Sequence, residues 1–167
     1  MEKIKSSKSA VLLNVGTSSA ASYKRMAKGI TSLPISYNPK TTSETYVDED
    51  NATTSVDSYE VSIETEQTAI KGDDIFDFVD KIRKGLKTGS GCETDAVLVD
   101  LYDIEIDSSN KTGTGKGQKF GATITISDFT IEGGQVIKIK YKVALNGDPE
   151  DVDVSIANGI ITVGTGD

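Results

Sequence analysis

From Val56 to Thr65 the chain alternates. Tyr59, Val61 and Ile63 fall on one side and Ser58, Glu60, Ser62 and Glu64 on the other, a period of two that predicts a half-buried strand. The same pattern recurs over Ala96–Ile106, where Val97, Val99 and Leu101 alternate with Leu98, Asp100 and Tyr102. Phe120, Ala122, Ile124 and Ile126 alternate with Gly121, Thr123 and Thr125. After the turn at Gly133-Gly134 the chain returns from Val136 to Leu145 with Ile137, Ile139 and Tyr141 on one face, which predicts a hairpin. Ala10–Val15 is an apolar run closed by Gly16-Thr17-Ser18-Ser19 and predicts a short buried strand. Ser22–Lys28 suggests a strand around Tyr23 and Met26. Ile30, Leu33 and Ile35 lead to Tyr37 in a run that Pro34 confines to a sheet edge or a bulge. Val152–Ile156 and Ile160–Val163 close the chain as two short strands around Asn158-Gly159.

One segment changes period. After Gly72, Asp73 offers a helix cap, and Ile75, Phe76, Val79, Ile82 and Leu86 follow at helical spacing. Asp73, Asp74 and Asp77 suit the positive end of the helix dipole, and Lys81, Arg83, Lys84 and Lys87 the negative end. A helix over about 73–87 follows. Three stretches read as connections: Ser108–Gln118, rich in Gly, Lys and Thr; the turn Asn146-Gly147-Asp148-Pro149; and residues 38–55. The last is nearly all polar and longer than an ordinary loop. Its Thr, Tyr and Val content around Tyr46 suits an extended hairpin arm better than a flexible linker. The expected architecture is mainly β (α+β): an antiparallel β-sandwich or partly closed barrel, one flanking helix and one long arm, with residues 1–9 as a polar N-terminal arm. The 167 residues fit a single domain.

Composition narrows the chemistry. There is no His, which removes the commonest general base, the Ser-His-Asp and Cys-His arrangements and imidazole metal sites. Cys92 is the single cysteine, so neither an intrachain disulfide nor a Cys-based zinc site is available, and the adjacent Glu93 disfavours a thiolate. Gly113-Thr114-Gly115-Lys116-Gly117 matches no phosphate-loop pattern and precedes a strand where a helix is required. Asp48-Glu49-Asp50-Asn51 opens like a calcium loop but has Ala52 at the fifth position and Tyr59 where the bidentate Glu belongs. Asp73, Asp74, Asp77 and Asp80 place carboxylates on a helix, the first three of them explained by capping and the dipole. No cofactor, metal or enzymatic activity is expected. With 18 Lys+Arg against 26 Asp+Glu the formal charge is -8, which repels nucleic-acid phosphate. No apolar stretch approaches a membrane span and the start of the chain lacks a signal-peptide pattern, so synthesis in a reducing cytoplasm is expected.

The order of short motifs carries a family likeness. Ile35-Ser36-Tyr37-Asn38-Pro39-Lys40 is followed by Tyr46-Val47-Asp48-Glu49-Asp50-Asn51-Ala52-Thr53-Thr54-Ser55-Val56. Tyr59 and Gly72-Asp73-Asp74-Ile75-Phe76-Asp77-Phe78-Val79 come next, and Gly147-Asp148-Pro149 follows far downstream. This arrangement resembles the major tail (tube) proteins of long-tailed phages of Gram-positive bacteria. The resemblance implies a β-sandwich subunit forming hexameric rings that stack into a hollow tube, assembled in the host cytoplasm and passing DNA without specific binding. The tape measure, tail terminator and baseplate would be partners. It places Asn38, Pro39, Lys40, Tyr46, Val47, Asp48, Asp50, Asn51 and Thr53 at contacts between subunits; the sequence departs from the family pattern in having no added surface domain after Val163, so a plain or sheath-covered exterior is expected. The inner tube of a contractile tail or of a tail-like bacteriocin is the nearest alternative. An immunoglobulin-like adhesin module would also fit the strands but calls for a secretion signal.

Overall fold

The computed structural model describes residues 1–164. Eleven strands and one helix follow in chain order: β1 Ser9–Asn14, β2 Tyr23–Arg25, β3 Ile35–Ser36, β4 Pro39–Glu44, β5 Thr53–Tyr59, β6 Ser62–Thr68, α1 Asp74–Gly85, β7 Glu93–Asp100, β8 Ile106–Asp107, β9 Thr112–Thr130, β10 Lys138–Ala157 and β11 Ile160–Val163. Nine strands form one antiparallel sheet whose main path runs β2-β1-β7-β9-β10-β6-β3, with β8 on β9 and β11 on β10. The sheet does not close into a barrel. β4 and β5 form a separate two-stranded ribbon.

The long pair β9 and β10 explains how one sheet makes a two-layer core. Their ladder shifts register twice: Ser127 is extra on β9 between the Lys140–Asp128 and Tyr141–Ile126 pairs, and, more sharply, Asn146 faces Gly121 while Glu150 already faces Lys119, so residues 147–149 bulge against a single partner position. A bulge bends and twists its strand. Before it, Ile139, Tyr141, Val143 and Leu145 pack with Phe120, Ala122 and Ile124 into a core beneath α1. After it, Val154 and Ile156 join a second core with Leu101, Ile104 and Ile161. β1 and β7 lie between the two cores, giving Val11, Leu13 and Ala96 to the first and Ala10, Leu12, Val97 and Val99 to the second. The uninterrupted apolar run at residues 10–13 is therefore required by burial on both faces.

The predicted helix forms over Asp74–Gly85, two residues shorter at its end. Asp73 caps it, its Oδ2 accepting from Phe76 N at 3.0 Å, and Ile75, Phe76, Val79 and Ile82 are buried. Leu86 is a correction: it is the C-cap, in the left-handed conformation (φ 44°), and its side chain is 85% exposed. Asp80, unexplained by capping, receives hydrogen bonds from Arg83 Nε and Lys84 Nζ at 2.7 Å each. Burial alone would push its carboxyl up, but these two cations more than offset that and hold it below the ordinary value of 3.8. A buried chain of hydrogen bonds ties the helix start to the sheet. Tyr141 Oη donates to Gln67 Oε1 at 3.0 Å, and Gln67 Nε2 donates to Asp73 Oδ2 at 3.0 Å and to the Lys28 carbonyl at 2.9 Å. Burial, reinforced by the Asp73 charge, pushes the Tyr141 hydroxyl well above the ordinary tyrosine range, so it stays a donor.

Three other expectations change. The alternating run 56–65 is not one strand: it breaks at Glu60-Val61, so Ile63 enters the core while Val56 and Tyr59 leave it on the ribbon. Thr112–Gln118, read as loop, is the start of β9, and its glycines admit a crossing segment. A Cβ on Gly115 would lie 2.5 Å from Ile104 Cγ1, and one on Gly113 would lie 2.7 Å from the Glu105 carbonyl oxygen. The Asn146–Pro149 turn is the bulge just described. The edge position set by Pro34, the strand at Tyr23, and the turn with positive φ at Asn158 (51°) and Gly159 (80°) form as expected.

Tyr141→Phe strands Gln67 Oε1 in a dry site, and urea unfolding should show a loss of about 1–3 kcal/mol; a loss under about 0.5 kcal/mol would show that the chain of bonds is idle. Because the Asp80 carboxyl is depressed in the folded state, its contribution is present above the unfolded value near 4 and lost as pH falls through the lower folded one. Thermal melts from pH 7 to 3 should therefore show Asp80→Asn weaker than the parent at neutral pH, with the gap narrowing toward the acid end.

Candidate assembly arm

All nine residues expected at subunit contacts lie on or beside the β4–β5 ribbon. At its root, Asn38 adopts positive φ (42°), and its Nδ2 donates to the Glu60 carbonyl at 3.0 Å. Glu60 N donates back to the Tyr37 carbonyl at 3.1 Å, closing the ribbon's base. Pro39 pairs with Tyr59 and Lys40 with Ser58, and a bulge follows before Thr41 faces Val56. Lys40 Nζ sits 3.4 Å from Glu60 Oε2. Thr53 begins β5 opposite Glu44, so it stands at the far end of the ladder. Tyr46, Val47, Asp48, Asp50 and Asn51 form the tip between the strands.

Hydroxyls and carboxylates hold the ribbon together. Ser43 Oγ and Thr54 Oγ1 are 2.8 Å apart across the strands, Ser55 Oγ donates to the Thr42 carbonyl at 3.4 Å, and Thr42 Oγ1 donates to Asp57. At the tip, Tyr46 Oη donates to Glu44 Oε2 at 3.2 Å, and Glu49 N donates to the Tyr46 carbonyl at 3.0 Å. No ribbon residue is buried: every position of β4 and β5 is exposed. An isolated two-stranded ribbon is marginal in water, and this one exposes Val47 completely and Tyr37, Tyr46, Val56 and Tyr59 by more than half. Apolar side chains displayed on a polar ladder are the composition of a surface that another chain covers. The sequence pattern missed Tyr37, Val56 and Tyr59 as members of this surface, because their alternation with polar residues matched a core strand equally well.

The ribbon is also strongly acidic. Residues 38–60 carry Glu44, Asp48, Glu49, Asp50, Asp57 and Glu60 against Lys40 alone. Beside the root, Tyr37 and Tyr59 border an open groove with Phe120, Leu145 and Pro149. The nearby exposed Tyr102 has its hydroxyl pushed up, first by the charge of Asp100. Among the described residues no group of three or more His, Cys, Asp or Glu is placed to hold a metal. Cys92 Sγ donates to the Lys87 carbonyl at 3.0 Å.

The overall fold is similar to that of a tail chain of known structure. A chain from the tail of an empty GTA particle with C6 symmetry superposes with a TM-score of 0.59 at 12% identity, covering 89% of this chain and 98% of that one. Chains from the baseplate of the anti-feeding prophage (AFP) and from the PVC sheath/tube terminator of an extracellular contractile injection system give TM-scores of 0.49 at 9% identity. No protein-family model and no curated protein matches the sequence.

Val47→Ala removes a fully exposed side chain, and Tyr46→Ala a half-exposed one whose hydroxyl makes a single surface hydrogen bond to Glu44. Each should change the unfolding free energy of the isolated chain by less than about 0.5 kcal/mol. A larger loss in urea titration would mean that the tip packs on its own subunit.

Proposed function

We propose that the chain is a structural subunit of a phage or phage-like tail tube, acting by self-assembly and not by catalysis. Subunits close into hexameric rings, the rings stack into a hollow tube, and DNA passes through the lumen without specific binding. The observation that carries this reading is the fold shared with nearly the whole length of a tail subunit from a C6-symmetric particle. The ribbon supplies the second support, since it leaves its large apolar side chains half or more exposed.

Physical chemistry makes such an assembly workable. A head-to-tail contact repeated by rotation closes into a ring and leaves no free copy of either surface. Ring-to-ring contacts act six at a time, so each can be weak while the stack is stable. The net charge of -8 opposes adhesion of a polyanion sliding past. In this reading Asn38, Pro39 and Lys40 fix the angle at which the arm leaves the body. Tyr46, Val47, Asp48, Asp50, Asn51 and Thr53 present its distal end to a neighbour. The tube belongs to the virion tail, where the tape measure, terminator and baseplate bound it.

Negative-stain microscopy of the purified chain at rising concentration should show stacked rings or hollow tubes; a monomer persisting at high concentration would refute the proposal. Deleting residues 41–52 should leave the circular dichroism spectrum and melting temperature nearly unchanged while abolishing tube growth.

A further inference from the structure

The charge of the arm has a counterpart in the segment that precedes it. Residues 1–28 carry Lys3, Lys5, Lys8, Lys24, Arg25 and Lys28 against Glu2 alone, the mirror of the six-to-one acidic excess in residues 38–60. Lys24 is paired with Asp74 at 3.3 Å, but among the described residues Lys8, Arg25 and Lys28 join no ion pair. Arg25 is exposed and uses Nη2 to hold the Ser7 and Ser9 carbonyls at 3.3 and 3.1 Å, leaving the rest of its guanidinium fork free.

Arg25 lines an open groove. Its apolar lining comes from Val11, Met26, Ile30, Leu33 and Ile35, with serines of the 6–9 segment on the rim. Arg25 is the single charged side chain in the lining, and no carboxylate lines it. Lys8 and Lys28 directly follow or precede lining residues in the chain. The arm tip has the complementary make-up: Val47 and Tyr46 project beside Asp48, Glu49 and Asp50.

We infer that the arm tip of one copy seats in this N-terminal groove of a second copy. Val47 and Tyr46 enter the apolar channel, and Asp48, Glu49 and Asp50 meet Arg25, Lys8 and Lys28. The occupant is a second copy because the arm cannot serve its own groove. The groove wall ends at Ile35 and the arm is rooted at Asn38, while the ladder from Pro39 to Glu44 holds the tip about 20 Å away at ~3.3 Å per residue. Donor and acceptor are different surfaces of one chain, so the contact is head-to-tail and propagates. This inference rests on the proposal that the arm engages a neighbouring copy, and it names the receiving surface.

Two full-length variants test it: an arm variant, Asp48→Lys with Glu49→Lys and Asp50→Lys, and a groove variant, Lys8→Glu with Lys28→Glu. Both leave the Arg25 hydrogen bonds and all buried residues intact. Each alone should raise the concentration needed for tube formation by roughly tenfold or more, as expected for losing several charge pairs and making them repulsive. An equimolar mixture should recover assembly, because each variant's arm then meets a groove of opposite charge when the two alternate. If the groove variant assembles like the parent while the arm variant does not, the arm docks elsewhere: the groove assignment falls and the arm proposal stands. If both assemble like the parent, or if the mixture fails to recover, the pairing is wrong. A second measurement is independent of charge. In a Cys92→Ser background, Val47→Cys with Ala27→Cys should form covalent multimers on oxidation, and exclusive monomer would overturn the inference.

Discussion

The bend in the β9–β10 pair is the constraint on which the rest of the molecule depends. A sheet has two faces, and a chain of this size cannot bury both with one helix. By inserting residues 147–149 opposite a single position, the long pair changes direction midway, and its two halves bury apolar side chains in different cores. β1 and β7 then fit between helix and returning strands. The close approach of the Leu101–Ile106 segment to β9 follows, and so does the requirement for side-chain-free positions at Gly113 and Gly115. On the other side, Tyr141, Gln67 and Asp73 lock the helix start over the first half of the pair. A dry hydrogen-bond chain of this kind fixes orientation because misplacing any member leaves a buried polar group unpaired.

Much of this was legible because the period of the apolar pattern is a local property. The helix, the hairpin across Gly133-Gly134 and the closing turn at Asn158-Gly159 each announce themselves within a dozen residues. What could not be read are features decided by distant neighbours. Gly113, Gly115 and Gly117 look like loop until Ile104 and Val97 are known to press on them. Asn146–Pro149 has the residues of a turn, and whether the chain reverses or bulges there depends on the partner strand continuing past it. Leu86 has helical spacing but falls one position beyond the last hydrogen-bonded turn. The arm was visible as a long Thr-rich polar segment, yet its apolar members Val56 and Tyr59 were hidden by an alternation that continues into the true core at Ile63.

The two halves of the molecule divide the physics between them. The body satisfies its polar groups internally: among the described residues no buried side-chain nitrogen or oxygen lacks a partner. The ribbon leaves large apolar side chains and most of its charge at the surface. For the self-assembling subunit proposed above, contact groups displayed on a polar, charged ribbon let the monomer stay soluble before it is incorporated.

The placement of β1 has a consequence for how the chain is made. This strand, the first of the chain, is paired on both sides, lying between β2 and β7 with Ser9 opposite Asp100. The second core over it is completed by Val154, Ile156 and Ile161 near the other end. An emerging polypeptide therefore holds this apolar segment without the cover of Val154, Ile156 and Ile161 until those residues too have been made. Folding of so non-local a topology is slow, on the millisecond-to-second scale. During that interval the Ala10–Leu13 segment is the site where a chaperone, or aggregation, competes with the native sandwich.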